Sequence, residues 1–275
     1  MSWTRDLRRY LETRFPATQF IPLAAFLGTA ALAPSPPTEA WRWLTVMVMA
    51  LALVLQFRLW DDIADRDLDR DSHPGRVLCV TSELRAFQLT AAVLFLVNGM
   101  LLYWHHNQVT RTVAYLVFCI CMLAWYRMRP RAARAGLLNS QLVLLKYPVI
   151  AWLISTPAPD TDIVISLSCL CSVYLIFSSF ELVDDNTLRQ RTGAGFILGA
   201  GYALLLSVWV LVALWNRPYS GPLPWLAWGI IIIATLLLGL AACSRTGHQS
   251  VTRSGRGIFI VGLLAYIAIA VESSR

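Results

Sequence analysis

The apolar run AWRWLTVMVMALALVLQFRLW, residues Ala40–Trp60, leads directly into the acidic run DDIADRDLDRD, residues Asp61–Asp71. A helix needs about 20 predominantly apolar residues to cross a bilayer, and the first run meets that length. The second run is rich in aspartate, which alternates with arginine and a few apolar residues. Together they predict a transmembrane helix that ends in a cluster of carboxylates.

The composition extends this interpretation to the whole chain of 275 residues. It is 57% hydrophobic and only 14% charged, with a mean hydropathy of +0.58. A soluble domain carries about 25% charged residues, so this surface is too apolar for water. Only helices and closed barrels cross a membrane, and the apolar runs here are continuous rather than alternating. We therefore predict an all-α integral membrane protein.

Nine apolar segments are long enough, or nearly so, to span a bilayer. No linker or low-complexity tract interrupts them, which predicts one membrane domain covering residues 1–275. Residues 1–15 form an amphipathic segment that is expected to lie on the membrane surface. The predicted bundle of nine transmembrane helices consists of Thr18–Leu32, Ala40–Trp60, Ala86–Trp104, Thr110–Tyr126, Leu137–Ser155, Asp162–Glu181, Gly195–Trp215, Leu223–Cys243 and Gly257–Val271.

The arginines are concentrated on one side of this arrangement. The segment before the first span and the loops after the second, fourth, sixth and eighth spans are rich in arginine, and the opposite loops are poor in it. By the positive-inside rule the N-terminus and both acidic loops are cytoplasmic, in a membrane that we expect to be a bacterial inner membrane. The net charge of +7 is thus explained by topology, and no nucleic-acid partner is expected.

A second acidic cluster, ELVDD at Glu181–Asp185, also follows an apolar segment. If the helix continues past Trp60, its aspartates at i, i+4 and i+8 share one face, and the second cluster has a similar i, i+3, i+4 spacing. Carboxylates so placed repel one another and are unfavourable near the membrane core. Mg²⁺ prefers oxygen ligands and bridges carboxylates to substrate phosphates. The predicted Mg²⁺ ligands are Asp61, Asp62, Asp65, Asp69, Glu181, Asp184 and Asp185. The alternative is a solvated loop in which Arg66 and Arg70 neutralise the aspartates.

The first cluster resembles the aspartate-rich motif of UbiA-type intramembrane prenyltransferases, N-D-x-x-D-x-x-x-D. The match places Asp62, Asp65 and Asp69 on the three motif aspartates, and Asp61 on the asparagine. The second cluster is similar to the family's D-x-x-x-D motif, with Glu181 and Asp185 at its acidic positions. Asp61 and Glu181 depart from the family pattern, and DDIAD also resembles the DDxxD pattern of soluble prenyl synthases and class I terpene cyclases.

The resemblance implies a central cavity with a prenyl diphosphate held at its cytoplasmic end. It also implies Mg²⁺-assisted ionisation of that diphosphate, followed by attack of a small lipophilic or aromatic acceptor on the carbocation. Asp62, Asp65, Asp185 and Lys146 are the expected catalytic residues. Two other functions remain open from the sequence: a terpene cyclase on the same fold, which needs no acceptor, and a membrane transporter or lipid-binding protein with a degenerate site.

Basic residues near the clusters are candidates for binding the diphosphate oxygens. Arg76 closes the motif loop and is the first candidate, followed by Arg66. Arg58 lies one turn before Asp62 and either reaches the site or extends to the membrane interface. Lys146 is the only lysine and lies near the middle of a predicted span. It either contacts the substrate or forms a buried ion pair that fixes helix packing.

Overall fold

The computed structural model describes residues 3–129, 137–156 and 163–184, together with isolated positions at 229 and between 263 and 271. Every regular element in these ranges is a helix, as the composition predicts. The helices are α1 (Trp3–Arg14), α2 (Ala17–Leu32), α3 (Ala40–Ala64), α4 (Arg66–Ser72), α5 (Val77–Val80), α6 (Leu84–His106), α7 (Val109–Met128), α8 (Leu137–Leu144), α9 (Lys146–Ile154) and α10 (Ile163–Asp184).

Three of these helices, α3, α6 and α7, are long and apolar enough to cross a membrane. A fourth span is possible if α1 and α2, which meet at an angle of 67°, are counted as one broken helix. Each of the three matches a predicted span to within four residues at either end. The last three predicted spans, from residue 195 onward, lie almost entirely outside the described residues, so the count of nine stays a prediction.

The predicted fifth span, Leu137–Ser155, is broken into α8 and α9 at Leu145. Pro148 explains the position of the break, because proline has no N–H to donate to the carbonyl of Leu144 one turn earlier. The backbone N–H of Leu145 instead bonds to the carbonyl of Leu142, three residues back, at 3.3 Å. The break lies immediately before Lys146, so this lysine begins a helix rather than occupying the middle of one.

The chain divides into two compact units. The first contains Met1–Ala24 and Val48–Met128, and the second contains Ala25–Met47 and Arg129–Arg275. Aromatic side chains fill the interior of the first unit, where Phe57 packs edge-on against both Trp60 and Phe118 with ring centroids 5.6 Å apart.

The second unit has an aromatic cluster of its own. Phe177 of α10 stacks on Tyr147 of α9, with ring centroids 3.6 Å apart. Phe26 of α2 contacts Phe177 on one side and Tyr266 on the other. All three helices therefore bury aromatic faces within this unit.

The outward faces of α6 and α7 are apolar. Leu96 and Met100 on α6 and Ile120 on α7 are at least 60% exposed. Large apolar side chains exposed along a helix of this length are expected where the solvent is lipid, which agrees with the predicted membrane location.

Candidate functional site

The first acidic motif is held in helical register. Helix α3 continues past Trp60 to Ala64, and α4 begins after a single turn residue at Asp65. The backbone N–H of Asp65 donates to the carbonyl of Asp61 at 2.9 Å, and that of Asp69 donates to the carbonyl of Asp65 at 2.8 Å. These bonds keep the three aspartates four residues apart on a helix-like path, which is the register that the sequence spacing predicts.

Asp62 is the most heavily bonded carboxylate of the motif, and only 5% of it is exposed. Arg14 of α1 donates from Nη2 to Oδ1 at 2.5 Å and from Nε to Oδ2 at 3.0 Å. Tyr10 of α1 donates its hydroxyl to Oδ2 at 2.9 Å, and Nε of Arg58 lies 3.5 Å from the same oxygen. The buried charge is thus balanced by two guanidinium groups and a phenol.

Asp69 is also buried, and it forms an ion pair with Arg76. This pair joins α4 to the loop that leads into α5. Arg66 donates from Nε to the carbonyl of Leu78 at 2.6 Å, so it fixes the backbone of α5. Burial, and after it the Asp69 carboxylate, raise the pKa of the Cys79 thiol, and Arg66, Arg70 and Arg76 oppose this shift.

Asp61 accepts a hydrogen bond from the hydroxyl of Tyr126, near the end of α7. Asp65 is half-buried, whereas Asp67 and Asp71 are exposed. The run of aspartates therefore separates into a buried or half-buried set that carries the motif positions and an exposed set that does not.

A buried polar cluster lies further along α3, within the same unit. Oε1 of Gln56 accepts from Nδ2 of Asn98 and from the hydroxyl of Tyr115, both at 2.7 Å. Nε2 of Gln56 lies 3.7 Å from Sγ of Cys119. The cluster connects α3 to α6 and α7, which fixes the helix that carries Asp61 and Asp62.

The remaining predicted residues belong to the second unit or lie outside the described residues. Lys146 is 5% exposed, and its ammonium is 5.3 Å from the centre of the Tyr147 ring. Glu181 is half-buried on α10, Asp184 is the last residue of that helix, and Asp185 lies outside the described part of the chain.

The donor set of the first motif fits Mg²⁺ in chemistry, since every side chain in it offers carboxylate oxygens. In the part of the chain that the structure describes, no three His, Cys, Asp or Glu side chains converge as a metal site. Arginine and phenol groups lie against Asp62, Asp69 and Asp61 instead. A divalent cation bound here would supply the positive charge that the arginines now provide to Asp62 and Asp69.

Arg14 and Tyr10 are the contacts that the sequence interpretation missed. It treated residues 1–15 as a surface segment, although α1 packs on α5 and buries Asp6 and Tyr10. Tyr10 and Arg14 are four residues apart and share a helix face, a spacing that was visible in the sequence. Nothing local, however, indicates that this face meets an aspartate 48 residues later.

No family model and no curated protein sequence matches the chain. A solved structure does match, from work on digeranylgeranylglyceryl phosphate synthase in membranes, with a TM-score of 0.59 and 12% sequence identity. The match covers 98% of this chain and 99% of that one. The chain has the fold of that synthase. Since that synthase is a UbiA-type intramembrane prenyltransferase, the fold is the one that the motif resemblance predicts. The fold and the apolar helices identify an integral membrane protein.

Proposed function

We propose that the protein is a Mg²⁺-dependent prenyltransferase that ionises a prenyl diphosphate and transfers the prenyl group to a small lipophilic or aromatic acceptor. The observation that carries the proposal is the buried carboxylate motif at the end of α3, surrounded by arginines, on a prenyl synthase fold. Ionisable residues at such a position are rare because they are costly, and where they occur they commonly mark a site for a charged ligand.

The proposed chemistry assigns a task to each group. When bound, Mg²⁺ supplies positive charge to the departing diphosphate. Asp62, Asp65 and Asp69 offer the oxygens that hold it. Arg76 and Arg58 are respectively 27% and 34% exposed at the side chain, so each can turn a guanidinium toward diphosphate oxygens.

The carbocation that follows ionisation must be kept from water. Phe57 and Trp60, on the turn before Asp61, are buried and packed edge-on. Aromatic rings exclude water and favour a nearby cation, which the proposed ionisation step requires. The predicted roles of Glu181, Asp184 and Asp185 as ligands and of Lys146 in catalysis complete the proposal.

The test is product analysis with the full chain in lipid nanodiscs. Prenyl diphosphates from five to twenty carbons are incubated with Mg²⁺ and an extract of bacterial membrane lipids, and released diphosphate and prenylated products are measured. We expect release that EDTA abolishes and that Asp62→Asn reduces by about a hundred- to a thousandfold, which is the scale for a transition-state charge contact. Asp71→Asn is the matched control, because Asp71 is an exposed aspartate of the same run.

Other outcomes separate the alternatives. A cyclic hydrocarbon or terpene alcohol formed from the diphosphate and Mg²⁺ alone would replace the transferase with a cyclase, which the DDIAD pattern at Asp61 also permits. If no donor releases diphosphate in a well-folded preparation, the proposal is wrong and a transport or lipid-binding role takes its place.

A further inference from the structure

We propose that Arg14 of α1 is part of the diphosphate site. It pairs with Asp62 while the site holds no cation. Once a divalent cation binds Asp62, the Arg14 side chain leaves the carboxylate and its guanidinium contacts the diphosphate. The inference rests on the proposed function and extends the site to a helix outside both aspartate motifs.

The geometry of the pair is the first argument. The two nitrogens of Arg14 cover both oxygens of Asp62, at 2.5 and 3.0 Å, and the hydroxyl of Tyr10 adds a third bond at 2.9 Å. A divalent cation on this carboxylate would meet the guanidinium at short range in a buried setting, where like charges repel strongly. Cation and Arg14 therefore compete for the same oxygens.

The chemistry of arginine is the second argument. A guanidinium presents a planar fork that matches a phosphate group as well as it matches a carboxylate. The Arg14 side chain is 19% exposed, whereas that of Asp62 is 7% exposed, so the arginine lies on the open side of the pair. When a cation displaces it, the nearest new partner is the anion that accompanies the cation.

Anchoring of α1 is the third argument. Asp6 accepts a hydrogen bond from the hydroxyl of Thr81 at 2.7 Å, and the ring of Tyr10 packs edge-on against Phe87 with centroids 5.7 Å apart. Both contacts are one or two turns before Arg14 on the same helix. They keep its backbone in place when the ion pair opens, so the released side chain stays within reach of the site.

The chain offers a matched control on the same helix. Arg8 is exposed and pairs with Glu12 at 2.8 Å, with no contact to the motif. Arg8→Gln removes one positive charge from α1, as Arg14→Gln does, and leaves the Asp62 contacts intact. Any difference between the two variants then reflects the contact with Asp62 rather than the charge of the helix.

The experiment measures binding rather than turnover. The full chain in nanodiscs is titrated with Mn²⁺ alone by electron paramagnetic resonance, and then with inorganic pyrophosphate at saturating Mn²⁺. For Arg14→Gln we expect Mn²⁺ alone to bind about tenfold more tightly and pyrophosphate about tenfold more weakly, which is the scale of one hydrogen bond to a charged group. Arg8→Gln should change neither affinity.

Opposite changes in the two affinities support the inference. A fall in both means that Arg14 only maintains structure, and no change in either means that it is outside the site; both results overturn the inference but leave the proposed function intact. If Arg14→Gln does not fold, Arg14→Lys keeps the charge without the fork and should still weaken pyrophosphate binding. If Asp62→Asn binds Mn²⁺ as tightly as the wild-type protein does, the proposed function is refuted instead.

Discussion

Gln56 is the residue whose removal best tests how the motif helix is held. It is fully buried, and its Oε1 accepts from Asn98 and Tyr115 of two other helices. Gln56→Leu keeps much of the side-chain volume and removes both acceptor contacts. Hydrogen bonds between transmembrane helices contribute about 0.6 kcal/mol on average and about 1.7 at most. Two such bonds give an expected loss of about 1–2 kcal/mol in the free energy of unfolding.

The loss stays in this range because neither donor is stranded. Asn98 also donates to the carbonyl of Ala52 at 3.3 Å, and Tyr115 can turn its single hydroxyl proton to the carbonyl of Phe95 at 2.9 Å. A buried polar group left without any partner would add about 1–3 kcal/mol more. Tyr115→Phe, which leaves Asn98 bonded to Gln56, should therefore be less destabilising than Gln56→Leu.

Titration with SDS in mixed micelles unfolds the protein and measures these differences in the free energy of unfolding. Thr90→Val is the control, since its hydroxyl bonds only to the carbonyl of Ala86 within α6, and we expect a change within about 0.5 kcal/mol. Gln56 precedes Asp62 by six residues, or about 9 Å along the helix, so the loosened helix should also lower turnover. A Gln56→Leu protein as stable as wild type, or one destabilised by more than about 4 kcal/mol, would refute the reasoning.

Three further predictions concern the site and its orientation. Arg76→Gln removes the cation that pairs with the last motif aspartate and should raise KM for the prenyl diphosphate about tenfold; an unchanged KM would exclude Arg76 from diphosphate binding. Tyr126→Phe removes a donor from Asp61 and should lower the half-saturating Mg²⁺ concentration about fivefold, whereas an unaltered Mg²⁺ dependence would place Asp61 outside the metal site. Ser72→Cys, at the end of α4, and Gln108→Cys, just after α6, introduce thiols before and after the α6 span. An impermeant maleimide should label the second, but not the first, in intact cells. The reverse labelling pattern would mean that the predicted orientation in the membrane is wrong.

The long helices α3, α6 and α7 could be predicted closely from the sequence, because a bilayer-spanning helix needs only a long apolar run. Helix α3 extends four residues beyond the predicted Trp60 and takes in the first two aspartates, as the spacing of the motif requires. The break at Leu145 was missed. Apolar residues continue on both sides of it, and the cause is the missing N–H of Pro148, which a count of apolar residues does not register.

The spacing of the motif aspartates could be predicted from the sequence, but their contacts could not. Spacing alone placed the motif aspartates on one helical path, which depends only on neighbours along the chain. Arg14 is 48 residues from Asp62 in sequence and Tyr126 is 65 residues from Asp61, and both contacts are set by how α1 and α7 pack on α3. A single sequence carries no signal for such pairings. The sequence also predicted that Arg76 binds the diphosphate, and it gave no sign of the ion pair that Arg76 forms with Asp69 in this structure.

The contacts of α1 also bear on biogenesis. This helix is synthesised before the residues that hold it, which are Asp62, Thr81 and Phe87. Chains grow at about 5–20 residues per second, so several seconds pass between synthesis of Tyr10 and that of Phe87. During that time the arginines of α1 can remain with the lipid headgroups, which hold the helix at the membrane surface. The helix that supplies Tyr10 and Arg14 to Asp62 would thus dock only after the later helices are made.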